Sequence, residues 1–242
     1  MLSKNQIKFI TSLHQKKYRD EHKLFIAEGL KTVMELIDSS LLLHELFTTE
    51  PLNCNAKQTI ISENELKKIS TLKTPNKVLA VFRIPESKPI ESNGLILALD
   101  DVRDPGNLGT IIRLCDWFGI KDLLCSKTSA DCFNPKVIQS TMGSIVRVNI
   151  SYVDLIGFLG KTKLPKFGTF MDGQNVYNIK LPIAGILIMG NEANGISKEI
   201  ENLVDSRIAI PRFGNLQQTE SLNVATATAI FLSEFKRNST EK

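Results

Sequence analysis

The alternation of short apolar runs with helical segments after residue 94 is the feature that most constrains the fold of this chain. The runs are unbroken, beginning with Leu95-Ile-Leu-Ala-Leu99, and segments of amphipathic periodicity separate them. Strands of this kind are buried on both faces, as in a parallel sheet covered by crossover helices. The pattern therefore predicts an α/β domain with a mostly parallel sheet.

Six strands and five helices are expected in this domain. The strands are predicted at residues 95–99, 122–125, 144–148, 167–171, 185–189 and 206–210, and the helices near residues 107–118, 134–140, 153–159, 197–204 and 222–236. The last helix is apolar around most of its circumference, which predicts that it is buried, within the domain or against a second subunit.

The first part of the chain predicts a smaller α/β domain over residues 1–84. Its elements are predicted as a helix at 3–14, a polar turn, a strand at 24–28, a helix at 29–38, a strand at 44–48, a helix that begins with the Ser62/Glu65 capping box, and a strand at 78–82. Residues 85–93 contain two prolines and are predicted to be a linker, and residues 94–242 form the second domain.

Composition excludes several classes of protein. The hydrophobic content of 42% is ordinary for a globular protein, and no run approaches the roughly 18 apolar residues that span a bilayer. The first residues lack the apolar core of a signal peptide, which predicts a cytoplasmic protein with no membrane contact. The four cysteines show no C-x-x-C spacing, which indicates reduced structural thiols and no metal site. All three histidines lie in the N-terminal third, so the second domain has no histidine for catalysis.

The positive charge of the chain lies in its first part. Residues 1–90 hold 14 Lys and Arg against 10 Asp and Glu, whereas residues 91–242 hold 16 of each. Such a concentration of cations suits contact with the phosphates of a nucleic acid, although a solvated helix face would look the same. The candidate phosphate contacts are Lys16, Lys17, Arg19 and Lys23.

Three segments fall where a predicted strand gives way to a loop or helix, at residues 107–113, 190–195 and 210–224. The carboxyl ends of strands in an α/β sheet form one rim, so these segments are expected to converge on one ligand. No G-x-G-x-x-G fingerprint occurs, which argues against a nucleotide-dependent oxidoreductase. The convergence predicts a binding site of another kind.

Each segment carries a polar residue with two possible roles. Asn107 is expected to cap the first helix of the domain, and Arg113 lies in an apolar stretch, where a structural salt bridge to Asp116 or Asp100 is the alternative to a functional role. Glu192 emerges between two glycines at the rim, although a turn alone would explain the glycines. Ser221 is expected to be the N-cap of the last helix.

Together the segments resemble the three motifs of the SpoU, or TrmH, family of RNA ribose 2′-O-methyltransferases of the SPOUT class. The motifs are N-x-G-x-x-x-R at residues 107–113, G-N-E-x-x-G at residues 190–195, and I-P followed by S-L-N-V within residues 210–224. Their order and separation match over residues 95–236, and Phe25-Ile-Ala-Glu-Gly29 is similar to the smaller substrate-binding domain of the family.

The resemblance implies a C-terminal deep trefoil knot, which general topology rules would exclude. It also implies a homodimer formed through the knot region and a cofactor, S-adenosylmethionine, held largely by backbone groups of the knotted loops. The cofactor-binding residues that it implies are Gly190, Asn191, Ile210, Ser221, Leu222, Met142 and Gly143.

The resemblance also implies catalytic roles for four residues. Arg113 matches the catalytic arginine of the family, either as a base or, since guanidinium groups normally stay protonated, by binding the adjacent phosphate and stabilising charge on the 2′-oxygen. Glu192 is expected to orient Arg113, and Asn107 and Asn223 to shape the site by hydrogen bonding. The transfer needs no metal.

We therefore expect an S-adenosylmethionine-dependent methyltransferase acting on RNA. Ribosomal RNA is favoured over transfer RNA because a separate N-terminal domain is present, and a non-catalytic RNA-binding or assembly factor is the rival. The loop at residues 212–220 is longer and more polar than in many relatives, and the modified nucleotide and the form of the RNA stay open.

Overall fold

A computed structural model gives the structure of residues 1–91, 93–214 and 221–237. The chain divides into two compact units, one formed by Met1–Glu86 with Asp131–Val146 and the other by Ser87–Ala130 with Arg147–Lys242. The predicted linker at residues 85–93 spans the first boundary, and its Ser92 lies outside the described residues.

The first unit contains a four-stranded sheet in the order β1-β4-β2-β3, in which β4 runs antiparallel to both neighbours and β2 is parallel to β3. Numbered along the whole chain, its elements are α1 Lys4–Ser12, α2 Lys16–His22, β1 Leu24–Glu28, α3 Leu30–Ile37, β2 Leu43–Thr48, β3 Thr59–Ile60, α4 Glu63–Ile69, β4 Val78–Arg83 and α6 Pro135–Thr141. The short strand β3 was not expected from the sequence.

Capping boxes start two helices of this unit. Ser3 and Gln6 form one at α1, and Ser62 and Glu65 form the predicted one at α4. The Glu65 carboxylate accepts hydrogen bonds from the backbone amides of Ser62 (3.0 Å) and Leu2 (2.6 Å). These bonds lower the pKa of Glu65 from 4.5 to about 2, because they stabilise its ionised form. The N-terminal residues are thereby tied to the start of α4.

Helix α2 corrects two predictions. It occupies the segment that was expected to be a polar turn, and it buries Arg19, which is only 1% exposed. The Arg19 guanidinium donates to Asp131 Oδ2 from Nε (3.0 Å) and Nη2 (2.5 Å), and from Nη1 to the carbonyls of Leu13 and His14 (2.9 Å each). A buried arginine requires such partners. The prediction that Arg19 contacts RNA is therefore wrong, since its side chain is used inside the unit.

The segment Asp131–Val146 belongs to the first unit, although the sequence prediction gave all of residues 94–242 to the second domain. Helix α6 packs on β1, and the rings of Phe133 and Phe25 have centroids 4.9 Å apart. The difference arises because the partners of this segment are far away in sequence; Asp131 and Arg19 are 112 positions apart.

The second unit contains a six-stranded sheet in the order β10-β8-β9-β5-β6-β7, and all its strand pairs are parallel. Its elements are β5 Leu95–Leu99, α5 Pro105–Trp117, β6 Asp122–Ser126, β7 Asn149–Val153, α7 Leu155–Lys161, β8 Lys166–Asn175, β9 Gly185–Met189, α8 Lys198–Glu201, β10 Ser206–Ala209 and α9 Val224–Arg237. Every residue of β5 and β9 is buried, as their unbroken apolar runs predict. The predicted α/β class with a mostly parallel sheet is confirmed.

One predicted strand, at residues 144–148, is wrong. Ser144–Val146 forms a turn of 3-10 helix, and the strand that follows is β7, whose pairing with β6 begins at Asn149. Met142 and Gly143 have φ angles of 51° and 95° and end α6 in left-handed conformations. These two residues change the direction of the chain and lead it into the 3-10 turn, so the strand begins only at Asn149.

None of the helices in the described ranges is long and apolar enough to cross a membrane, and no group of three or more His, Cys, Asp or Glu there is placed to hold a metal ion. All four cysteines are free thiols. Burial raises the pKa of Cys115 and Cys125, so these two are packing residues, as predicted.

Candidate cofactor and active site

The three predicted segments lie at the carboxyl ends of β5, β9 and β10. Strands β5 and β9 are adjacent and pair through Leu99 and Met189, so the loops that follow them leave the sheet side by side. Ile210 directly follows β10, and α9 begins at Val224. The convergence expected from the sequence is therefore present at one rim of the sheet.

A hydrogen-bonded series of three side chains joins these segments. Asn107 Nδ2 donates to Glu192 Oε1 (2.8 Å), and Asn223 Nδ2 donates to Asn107 Oδ1 (2.9 Å). Asn223 Oδ1 accepts the backbone amides of Ala225 (3.0 Å) and Thr226 (3.2 Å) at the start of α9. Because an ionised carboxylate only accepts and backbone amides only donate, the two ends of the series fix the orientation of both asparagine amides. Three of the four predicted catalytic residues thus come together.

The two helices at this rim have other caps than those predicted. Helix α5 begins at Pro105, and its N-cap is Asp104, which accepts the backbone amide of Asn107 at 2.8 Å. Helix α9 is capped by Asn223 and not by Ser221. The capping role of Asp104 leaves the side-chain amide of Asn107 free to link the other two motifs.

Gly190 is required by the close approach of its own loop. A Cβ atom at this position would lie 2.2 Å from the carbonyl carbon of Gly195 and 2.3 Å from the backbone nitrogen of Ile196. Both are main-chain atoms, which cannot move aside as a flexible side chain could. The tight bend after β9 therefore admits no side chain at residue 190.

Asn191 holds the shape of the same loop. Its Oδ1 accepts the backbone amides of Ala193 (2.9 Å) and Asn194 (3.2 Å), and its Nδ2 donates to the carbonyl of Asp101 (2.7 Å). Asp101 itself has a φ of 60°, a conformation that is uncommon for a residue with a side chain. The loop is thus fixed both internally and to the turn after β5, which positions Glu192 opposite Asn107.

The described residues line a partly open cavity of about 1410 Å³ against this loop. Six of the predicted site residues line it: Gly190, Asn191, Glu192, Ile210, Ser221 and Leu222. Apolar side chains such as Ile196 and Phe231 form further parts of its wall. Met142 and Gly143 are not among the described lining residues, and they belong to the first unit, where a Cβ on Gly143 would lie 2.8 Å from Glu35 Oε2.

Arg207 is a residue of the cavity wall that sequence reasoning missed. Its guanidinium lies 3.6 Å from the centroid of the Phe170 ring and forms ion pairs with Asp172 and with Glu201 Oε1, the latter at 2.5 Å. These contacts raise the pKa of Arg207, and the hydrogen bonds from Arg207 lower the pKa of Asp172 and Glu201. The sequence signal for Arg207 was an arginine within the apolar run of β10. The sequence does not show its partners, because they lie on other elements, β8 and α8.

Arg113 stays apart from this network. It is exposed on α5 and makes no hydrogen bond or ion pair with any residue in the described part of the chain. The structural alternative is wrong, since Asp116 pairs with Arg147 (2.8 Å) and Asp100 accepts a backbone amide (2.7 Å). The expected bond from Glu192 to Arg113 is not made either; the Glu192 carboxylate accepts from Asn107.

The loop at residues 212–220, which was expected to be unusually long and polar, lies only partly within the described structure. Arg212 and Pro211 line the cavity, whereas residues 215–220 lie outside the described ranges.

Known proteins match both parts of the chain. Residues 94–233 match the SpoU rRNA Methylase family, and residues 4–80 match the MRM3-like substrate binding domain. The chain is 32% identical to the 23S rRNA (guanosine(2553)-2′-O)-methyltransferase RlmP of Bacillus subtilis, over 95% of this chain and 96% of that protein.

Solved structures of similar proteins share the fold. A TrmH-family protein from Porphyromonas gingivalis has a TM-score of 0.88 and 39% identity, covering 98% of this chain and 99% of its own. An AdoMet-bound rRNA methyltransferase from Sinorhizobium meliloti has a TM-score of 0.86 and 29% identity, covering 98% and 96%. The resemblance seen in the three motifs is confirmed, and the chain belongs to the SpoU rRNA methylase family.

Proposed function

We propose that this chain transfers a methyl group from S-adenosylmethionine to a ribose 2′-hydroxyl of ribosomal RNA. The observation that carries the proposal is the hydrogen-bonded series Asn223, Asn107 and Glu192 at the edge of the cavity after β9. Membership of the SpoU rRNA methylase family and the similarity to the Bacillus subtilis enzyme, whose name specifies 23S rRNA, support the substrate class.

The cavity suits the cofactor in size and chemistry. Its 1410 Å³ exceeds the roughly 300–1,000 Å³ of ordinary small-molecule pockets, so the volume is sufficient. Gly190, Asn191, Ile210, Ser221 and Leu222 would hold S-adenosylmethionine, through main-chain groups of tight loops and through apolar side chains. The bound cofactor supplies a methyl group that its sulfonium already activates. Met142 and Gly143 are left out of this assignment, since neither is among the described lining residues.

The residues of this chain then have to bind and orient the ribose and favour loss of its 2′-hydroxyl proton. In the described structure the Arg113 guanidinium is free of protein partners, so its donors are available to RNA. We assign it to the phosphate next to the target ribose and to the negative charge that develops on the 2′-oxygen. Glu192 and Asn223 hold Asn107 in place, and Asn107 in turn fixes the distance between the loop after β9 and the start of α9.

Substitution Arg113→Ala tests the catalytic assignment. We expect methylation of rRNA to fall at least tenfold, which corresponds to about 1.4 kcal/mol of transition-state stabilisation. The affinity for S-adenosylmethionine, measured by calorimetry, should stay unchanged, because Arg113 does not line the cavity. Lys121→Ala removes another exposed cation of the same unit and serves as the matched control.

Two outcomes would contradict the assignment in different ways. Methylation by Arg113→Ala within about twofold of the unaltered chain would show that Arg113 is not catalytic. Failure of the unaltered chain to bind millimolar S-adenosylmethionine would favour a non-catalytic RNA-binding or assembly factor. Mapping 2′-O-methyl groups in RNA from cells with and without the protein would separate ribosomal from transfer RNA as substrate.

We propose that the second unit forms a deep trefoil knot towards its C-terminus, which is supported by the family and by the packing of α9 on α5. We also propose a cytoplasmic homodimer formed through this region. Trp117 at the end of α5 supports the dimer, since its side chain is 84% exposed and lies one turn after Arg113 on the same face of the helix.

A further inference from the structure

Three aromatic side chains meet on the surface of the first unit. The rings of Phe9 and His22 have centroids 5.1 Å apart at an interplanar angle of 65°, and those of Tyr18 and His22 have centroids 6.4 Å apart at 10°. Phe9 lies on α1, and the other two lie on α2. His22 is exposed, whereas Phe9 and Tyr18 are half-buried. We call Phe9, Tyr18 and His22 the aromatic surface.

The three rings of this surface differ in how deeply they are buried. Phe9 contacts the apolar core of the unit and anchors the group. Tyr18 and His22 are one turn apart on α2, so they share one face of the helix. Their ring planes are parallel within 10°, and the imidazole remains in solvent. Phe9 and Tyr18 therefore support the exposed imidazole ring of His22.

The charges around the aromatic surface are mainly positive. Lys17 Nζ lies 5.7 Å from the centroid of the Tyr18 ring. Exposed lysines on α1, on α2 and just after α2 outnumber the exposed carboxylates of α2. The lysines are Lys4, Lys8, Lys16, Lys17 and Lys23, and the carboxylates are Asp20 and Glu21. A ligand that combines flat aromatic groups with negative charge fits such a surface.

We propose that the aromatic surface stacks unpaired bases of the RNA substrate while the neighbouring lysines contact its phosphates. The inference rests on the proposed function and refines it, because it specifies a single-stranded loop or bulge as the recognised feature. Unpaired bases can stack on aromatic rings, whereas a duplex hides its base faces. The lysines attract the RNA, and the rings distinguish single strands from duplexes.

The test compares RNA binding by His22→Ala and Tyr18→Ala with binding by the full unaltered chain. The probe is a single-stranded RNA of about ten nucleotides that carries 2-aminopurine, together with its duplex. We expect each variant to bind the single strand on the order of tenfold more weakly and to bind the duplex unchanged. His22→Phe keeps a ring and should retain the affinity for the single strand. Tyr177→Ala removes an aromatic side chain of the second unit that is 40% exposed, and it serves as the matched control.

Two results would overturn the proposal. One is binding of the single strand by both alanine variants within about twofold of the unaltered chain. The other is an equal loss for single strand and duplex in His22→Ala together with no rescue in His22→Phe, which would indicate a role in charge or folding. The assay needs no methyl transfer, so it is independent of the proposed activity. Preferential binding of single-stranded RNA by a chain that does not methylate rRNA would contradict the proposed function but support the proposed role of the aromatic surface.

Discussion

Asn107 makes two hydrogen bonds of opposite sense, and its side chain is suited to both. It donates to Glu192 through Nδ2 and accepts from Asn223 through Oδ1. A carboxylate of the same shape offers acceptors only, and an apolar side chain offers neither. The identity of residue 107 therefore decides whether the loop after β9 and the start of α9 are held at a fixed distance.

Substitution Asn107→Asp should disrupt the site in a pH-dependent way. It places a second carboxylate within hydrogen-bonding distance of Glu192, and like charges raise the pKa of one member of the pair. Near neutral pH the repulsion should lower methyl transfer at least tenfold. As the pH falls below the raised pKa, the protonated carboxyl can donate to its neighbour, so the defect should shrink from about pH 8 to about pH 5.

The measurement is the ratio of methyl-transfer rates of variant and unaltered chain across that pH range. Thr110→Ala is the control, because Thr110 lies on the exposed face of α5 and, among the residues that the structure describes, its hydroxyl bonds only to the carbonyl of Gly106 (2.9 Å). A ratio for Asn107→Asp that does not change with pH would show that the carboxylate repulsion is not the cause of the defect.

At the residue scale, the sequence predicted which side chains meet but not how they bind. Asn107, Glu192 and Asn223 were expected at one site because their motifs follow parallel strands. The partner of Glu192 was expected to be Arg113, and the structure gives Asn107 instead. The helical spacing of Asn107 and Arg113 puts them on different faces of α5, and only the three-dimensional path of the loop decides which of them the carboxylate reaches.

At the scale of elements, burial determined which predictions held. Strands β1, β5 and β9 were predicted with their observed bounds, because every residue in them is buried and, apart from Glu28 at the end of β1, none of them is polar. Helix α2 was missed because its sequence, Lys16–His22, has no apolar stripe, and its one buried residue is an arginine. Residues 144–148 look like a strand in composition, but the left-handed residues before them decide their conformation.

The tight loop after β9 predicts that Gly190 cannot be replaced, unlike Gly160 on α7. Gly190→Ala should destabilise the fold by about 1–3 kcal/mol and abolish cofactor binding, because the added methyl group meets main-chain atoms 2.2 Å and 2.3 Å away. Gly160→Ala on α7 is the matched substitution, since nothing lies within 4 Å of its Cβ position. It should stabilise the fold by about 0.5–1 kcal/mol, because glycine costs conformational entropy in a helix.

Chemical denaturation and calorimetry with S-adenosylmethionine measure the two effects. Equal stability of both variants, or cofactor binding by Gly190→Ala at the affinity of the unaltered chain, would show that the loop can open to admit a side chain.

At the scale of the whole molecule, the course of the chain was the least predictable feature. The chain completes the first unit only after β6, where the segment Asp131–Val146 adds α6 to the face of β1. No local sequence pattern predicts that α6 belongs to the first unit, because the same sequence would also suit a crossover helix within the second unit. What decides the outcome is a set of contacts between residues more than a hundred positions apart, and these depend on the final fold.

The buried Arg19–Asp131 ion pair offers a test of whether the segment Asp131–Val146 is held to the first unit. An exposed ion pair of the same unit serves as the comparison. Asp131→Ala leaves the guanidinium of Arg19, a residue that is 1% exposed, without its carboxylate, which should cost about 3 kcal/mol in the free energy of unfolding. The cost lies at the lower end of the range for buried pairs because two carbonyl groups still accept from Arg19. Glu50→Ala breaks the pair with Lys77, whose side chains are 53% and 64% exposed, and should cost less than about 1 kcal/mol. Urea unfolding would measure the loss of stability in both variants, and hydrogen exchange of the β1 amides would measure the local effect on the first unit. If the two variants lose the same stability, or if exchange in β1 is unaffected by Asp131→Ala, the segment Asp131–Val146 is not held to the first unit by this pair.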